Sequence, residues 1–166
     1  IRETRRMIGS HVLTEKDCLH TEGQDDSIGM GSYAPDSHHI QRVVIDGKAV
    51  NEGNFYLHHH AYEIPYGVLT PKEKECINLL VPLCLSSSHV AFGSVRMEPV
   101  FMILGESAGV AAGMAIDGST SVQDVDVAGL QKKLLGHGQR LRVAKWRPAG
   151  RPGKRIVIDV PRGGLL

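Results

Sequence analysis

The segment Leu104 to Gly113, LGESAGVAAG, decides how the rest of this 166-residue chain is read. Its letters Gly105-Glu106-Ser107-Ala108-Gly109 spell G-x-S-x-G, the nucleophile elbow of a serine hydrolase, after the apolar run Val100 to Leu104. The same letters, extended by Gly113, set three glycines four residues apart on one stripe of a helix, where a second backbone can approach closely. The two readings demand different surroundings. An elbow needs a strand before Ser107 and an acid and a histidine after it. Only His137 lies downstream, with Asp117, Asp124 or Asp126 between, and His58-His59-His60 is followed by Ala61-Tyr62 rather than by an oxyanion-type glycine run. Pro99 suits a first helical turn and Glu98 complements the helix dipole, so the spacing predicts a helix from about Arg96 to Ile116, ended by Asp117-Gly118. Ser107 then falls mid-helix as a structural residue.

A membrane span is the third reading of the same run. Pro99 to Ile116 carries one charge, Glu106, and at 1.5 Å per residue covers roughly 27 Å, barely a bilayer core. Three glycines, four alanines, a serine and a glutamate make it weakly hydrophobic, and no basic flank stands out. A buried helix of a soluble protein is the better reading.

Outward from the helix, Ile77 to Val81 is apolar except for Asn78 and predicts a strand covered on both faces. Ser86 to Ser94 reads as a small-residue loop leading into the helix, whose unpaired N–H groups near Val95 to Met97 would face a ligand with electron-rich oxygens. Val43-Val44-Ile45 stopping at Asp46-Gly47 predicts a hairpin. Thr14 is placed to cap a short helix beginning Glu15-Lys16-Asp17, and a further helix is expected over Val127 to Leu135. Asp25 to His39 reads as an irregular connection, and the six bases, three prolines and four glycines after Ala144 read as a loose tail with a conceivable edge strand at Arg155 to Pro161.

Charge is nearly balanced, 19 Lys+Arg against 18 Asp+Glu, and aromatics are only 5%, so nothing points to nucleic acid. Cys18, Cys76 and Cys84 form no C-x-x-C pair and read as reduced structural thiols, which excludes a zinc ribbon or iron–sulfur cluster built from this chain alone. His58-His59-His60 would alternate faces on a strand and makes a poor metal site, so no metal is expected. No signal peptide is legible, and the compartment is left open. The chain opens on Ile1, and no other helix offers small residues to match the glycine stripe, so a fragment is expected.

RETRRMIGSHVLTEKD, DSIGMGSY and the run from Tyr62 to Ala115 together resemble, in order, the C-terminal half of bacterial FAD-dependent oxidoreductases, the family distantly related to the flavin subunit of heterodisulfide reductase. The resemblance runs from Ile1 to about Val143. It implies an α/β fold, the C-terminal fragment of a two-domain FAD-binding, Rossmann-like architecture with part of a mixed-sheet substrate domain. On it, residues 1–72 are a partial substrate domain, 73–143 the C-terminal part of the FAD domain, and 144–166 a basic tail.

The same resemblance implies FAD as cofactor, with Ser87, Ser88, Gly93, Ser94, Val95, Arg96 and Met97 beside the flavin and the helix N-terminus aimed at its pyrimidine edge. His89 and Arg96 are the candidate catalytic residues, and His38, His39 and Tyr66 the candidate substrate contacts. For Arg96 the bland reading is an ion pair with Glu98; for Tyr66 it is core packing. The glycine stripe would pack on the first helix of the dinucleotide fold, supplied by a missing N-terminal segment. G-x-G-x-x-G and the ribose-binding acid are absent here, as are the cluster cysteines of some relatives, and Pro82-Leu83 replaces the usual Ala-Gly after the FAD strand. The expected reaction is hydride transfer on a small organic, carbohydrate-linked substrate. The alternatives are a non-catalytic interaction module and, more distantly, a serine esterase.

Overall fold

The computed structural model describes residues 5–19, 23–57 and 60–143. The glycine-bearing run forms a single helix, here α3 in chain order, over Glu98–Gly118. Pro99 sits in its first turn, where a missing N–H costs nothing. Gly118 stays helical, and it is Ser119, at φ 50°, that takes the left-handed cap. Its N–H returns to Ile116 O at 3.1 Å, and that of Thr120 to Ala115 O at 3.0 Å. One stripe of α3, including Val100, Leu104, Ser107, Ala111 and Ala115, is buried. That stripe packs on strand β1 (Ser27–Gly31) and on α4 (Val127–Gly136).

Ahead of α3 come α1 (Glu15–Leu19), β1, a hairpin β2 (Gln41–Ile45) and β3 (Lys48–Glu52), β4 (Tyr62–Pro65), a 3₁₀ turn at Tyr66–Val68, and α2 (His89–Val95). Asp17 starts α1 by accepting from both the backbone N–H and the hydroxyl of Thr14, at 2.6 and 2.7 Å, a half capping box. β1 pairs antiparallel with β4, Gly29 opposite Ile64 and Gly31 opposite Tyr62, with a bulge between Ser27 and Gly29. Close approach requires both glycines: a Cβ on Gly29 would lie 2.5 Å from Ile103 Cγ2, and one on Gly31 2.5 Å from the Tyr62 ring. Glu63, buried on β4, accepts the N–H groups of Gln24 and Val143, each at 2.9 Å, and pairs with Arg142 Nη1 at 3.0 Å. That clamp ties residues 139–143 back onto the ribbon.

Several expectations change. The Asp25–His39 connection contains β1, whose ladder is set by burial rather than by strand-favouring residues. Ile77–Val81 is not a strand among the described residues. It has no ladder partner, only the bonds Val81 N–H to Leu69 O and Val122 N–H to Ile77 O, both 2.9 Å, and Ile77 and Leu79 are 56% and 46% exposed. Ser86–Ser94 is not one loop. Ser88 N-caps α2 by accepting from Ala91 N–H, so the segment turns helical at His89 and breaks again before α3. The hairpin stands as expected, with Asp46 at φ 49° and Gly47 at φ 73° making the two-residue turn. The two sheets among the described residues are antiparallel ribbons, and a parallel pairing occurs as a bridge between Leu13 and Ser87. The chain is thus mixed α/β; the tail and its proposed edge strand lie outside the described residues, as do His58 and His59.

Candidate functional site

Ser86 to Ser88 is an extended piece of backbone pinned on two sides. Ser86 N–H donates to Val68 O at 2.9 Å, Leu13 N–H to Ser86 O at 3.0 Å, and Ser88 N–H to Leu13 O at 2.8 Å. The Ser86 hydroxyl accepts Gly9 N–H at 2.9 Å. Arg6 donates from Nε to Ser87 O at 3.2 Å and lays its guanidinium 5.2 Å from the Phe92 ring centroid. The Ser87 hydroxyl is buried and has no hydrogen-bond partner among the described residues.

Helix α2 fixes the far wall. Gly93 touches the backbone of Asp36, where a Cβ would lie 2.5 Å from Asp36 O. Ser94 donates to Tyr33 O at 2.6 Å and shares a 2.7 Å bond with the Tyr62 hydroxyl, while Val95 is fully buried. Of the residues expected beside a cofactor, Gly93, Ser94 and Val95 are thus buried and held by these contacts. Arg96 follows with Nη2 2.7 Å from Asp36 Oδ1 and Nε donating to Gly93 O at 3.2 Å. Its partner is Asp36. Sixty residues separate the pair, and no local signal in the sequence announces it.

His89 is exposed at the start of α2, with the Phe55 ring edge-on at 5.7 Å. Phe55 and Asp36 belong to the foot of the β2–β3 hairpin, where Ser37 N–H meets Phe55 O at 3.0 Å and Leu57 N–H meets Pro35 O at 2.9 Å. The hairpin's foot is thus fastened to α2 through Gly93 and Arg96. Arg6, Asp36 and Phe55 were not singled out by the sequence; each is recruited by tertiary contact. His38 and His39 are exposed on the ascending side of that hairpin. Tyr66 is buried, donates to Val122 O at 2.7 Å, and burial pushes its hydroxyl up to about 12. It is a core residue.

Met97 N-caps α3 without a side-chain hydrogen bond. Phe101 N–H already returns to Met97 O at 3.0 Å, and Arg96 N–H is taken by Phe92 O at 3.1 Å. Pro99 has no N–H to offer, so the donor this helix start presents is that of Val100, beyond the expected position. On the flank of α3, Gly105, Gly109 and Gly113 are exposed and a Cβ on any of them meets nothing within 4 Å. Met102 and Ile116 on the same stripe are 75% and 76% exposed. An apolar groove of about 400 Å³ between Ile77, Ala112, Ile116 and Val122 continues this face.

Ser107 is no nucleophile in this arrangement. It is fully buried, shares its hydroxyl proton between Ile103 O and Ile28 O, both at 3.0 Å, and accepts from Gln139 Nε2 at 2.9 Å. Val100 to Leu104 is helix rather than strand, and His137 pairs with Glu106 at 3.0 Å. Among the described residues, α3 alone has the length and apolarity to cross a membrane, and its buried stripe against β1 and α4 makes it a core helix. No group of three or more His, Cys, Asp or Glu among the described residues is arranged to hold a metal ion.

The corner therefore combines a helix start, a buried hydroxyl and a helix flank flattened by glycine. The model of the FAD dependent oxidoreductase family matches residues 1–134, and the chain belongs to that family, whose cofactor is FAD. No curated protein and no solved structure matches the chain.

Proposed function

We propose that this chain supplies the flavin-edge corner and part of the substrate side of an FAD-dependent oxidoreductase, of the bacterial branch akin to the flavin subunit of heterodisulfide reductase. The observation that carries the reading is the family match, which runs unbroken through the Ser86–Ser88 segment, α2 and α3. When bound, FAD supplies the two-electron chemistry, exchanging a hydride with a small organic, carbohydrate-linked substrate. The protein's part is placement and charge. The N–H group of Val100, backed by the α3 dipole, and the Ser87 hydroxyl fit the polar edge of a flavin ring and favour negative charge there. Arg96, held in orientation by Asp36, adds a fixed positive charge beside that edge. His89, exposed and next to the hairpin foot that carries His38 and His39, exchanges the substrate's proton.

These residues fit only the flavin end. No G-x-G-x-x-G loop stands in the 166 residues to cradle the nucleotide phosphates. The open glycine face of α3 fits the helix that such a loop begins, packed at close range over Gly105, Gly109 and Gly113. A second reading follows from the same surface: an interaction module that uses the glycine face and the groove beside Ile77 without turnover.

The test is the visible spectrum of the protein purified from its complete reading frame without added cofactor. Flavin absorption is expected, with flavin occupancy lowered roughly tenfold by Arg96→Met through loss of a charge-assisted contact. A colourless protein that takes up no FAD on titration overturns the catalytic reading and leaves the interaction module.

A further inference from the structure

Above its foot, the β2–β3 hairpin makes no substantial contact with any other helix or strand among the described residues. All five residues of β3, Lys48-Ala49-Val50-Asn51-Glu52, are exposed, and among the described residues β3 is paired on one side only. A two-stranded ribbon by itself is marginal in water, and a free edge with unpaired N–H and C=O groups is a template for another strand. Which backbone groups face out follows from the register. Ile45 and Lys48 close a two-residue turn and are a hydrogen-bonded pair, so Val43 and Val50, then Gln41 and Glu52, are hydrogen-bonded pairs too. Ala49 and Asn51 then point their N–H and C=O groups to the open side.

That edge is self-complementary. Laid antiparallel on a second copy with the two-fold axis at Val50, Ala49 meets the partner's Asn51, and these are the two residues whose backbone groups face outward. Lys48 comes opposite the partner's Glu52 at both ends. Val50 meets the partner's Val50 as a non-hydrogen-bonded pair, the closer of the two kinds. Gln41 Nε2 already holds one carboxylate oxygen of Glu52 at 2.5 Å, leaving the other for the partner's Lys48. Val43, opposite Val50 within the hairpin, extends the contact to one apolar row of four valines across both copies. The other edge has no such symmetry: about Val43, Arg42 of β2 would face Val44 and Gln41 would face Ile45. We propose that β3 is a dimerisation edge, through which two copies of this chain join their hairpins into one four-stranded antiparallel sheet.

Five residues a side make a small interface, so the dimer is weak, with Kd on the order of 10–1,000 μM. Sedimentation equilibrium of the full chain, from about 1 μM to about 1 mM, should show mass rising from one chain towards two. Lys48→Glu and Glu52→Lys each place like charges opposite at both ends, and each should weaken association on the order of tenfold. An equimolar mixture of these two variants restores both pairs and should associate at least as well as the unaltered chain, as a heterodimer seen by native mass spectrometry. Circular dichroism checks that each variant folds. Ala49→Pro is the substitute if one does not, since it removes an outward N–H and leaves the β2 ladder whole. A chain that stays monomeric at the highest concentration overturns the proposal. So does a dimer indifferent to the charge reversals, or a mixture no better than its parts.

Discussion

The two antiparallel ribbons of this chain are held by opposite means. β2–β3 has the residues a ladder favours, Val43, Val44, Ile45 and Val50, and a turn whose two residues take the positive φ values the hairpin twist requires. It nevertheless lies in solvent, with Val44 77% exposed. β1–β4 pairs Ser-Ile-Gly-Met-Gly with Tyr-Glu-Ile-Pro, with a bulge and a proline, and is buried at every position but Met30. Local preference explains the first ribbon. Packing from α1, α3 and α4 explains the second, so the deepest break in the comparison is to remove what fills the space around β4. Tyr62 is 1% exposed, its ring against Gly31 and its hydroxyl bonded to Ser94. Tyr62→Ala should cost about 3–5 kcal/mol, the range for deleting a buried aromatic ring, measured by urea unfolding. A loss under about 1 kcal/mol would mean the ribbon is no more essential than the hairpin.

The same neighbourhood carries a pH dependence. Burial pushes the Cys18 thiol up to about 12 and raises the Tyr62 hydroxyl. Both groups are neutral when folded. Below pH 9, the ordinary value for the thiol, they are protonated in both states and their contribution is fully present. Above it the unfolded chain releases protons the folded chain keeps, so stability falls as pH rises, by about 1.4 kcal/mol per pH unit for each group so affected. Cys18→Ser should flatten the alkaline slope measured between pH 9 and pH 12. An unchanged slope would place the sensitivity elsewhere.

What the sequence made legible follows the same division. The hairpin, α1, α3 and α4 were readable because turn chemistry, capping residues and an apolar stripe act over a few neighbours. β1 was not, since Gly29 and Gly31 look like loop residues until Ile103 and Tyr62 are seen to need the space. Ile77 to Val81 misled in the other direction: a continuous apolar run reads as a buried strand, but a strand needs a ladder partner. At the site, Arg96 and His89 were legible as residue types beside a helix start. Asp36, Phe55 and Arg6 were not, because each reaches α2 or the Ser86–Ser88 segment from far along the chain. The short helix α2 was lost because serines and glycine suggested a loop, while the Ser88 cap and the burial of Phe92 decide for helix.

Helix α3 repeats the contrast within one element and supplies the smallest test. On its buried side Ser107, Ala108 and Ala111 meet β1 and α4; on its open side Gly109 has nothing within reach of a Cβ. Glycine in a solvated helix interior costs about 0.8–1.0 kcal/mol relative to alanine. In the 166-residue chain, Gly109→Ala should therefore stabilise by up to that amount in thermal or urea unfolding. Three glycines kept on an open face, at a cost of that size each, make sense if a backbone lies against them in the working protein. If the proposed dinucleotide helix packs there, the same alanine in a protein carrying that helix must push two backbones apart, and the sign reverses to lower stability and poorer FAD retention. Stabilisation in both contexts would show that nothing seats on the glycines and would remove the main support for that packing; opposite signs would locate the contact at Gly109.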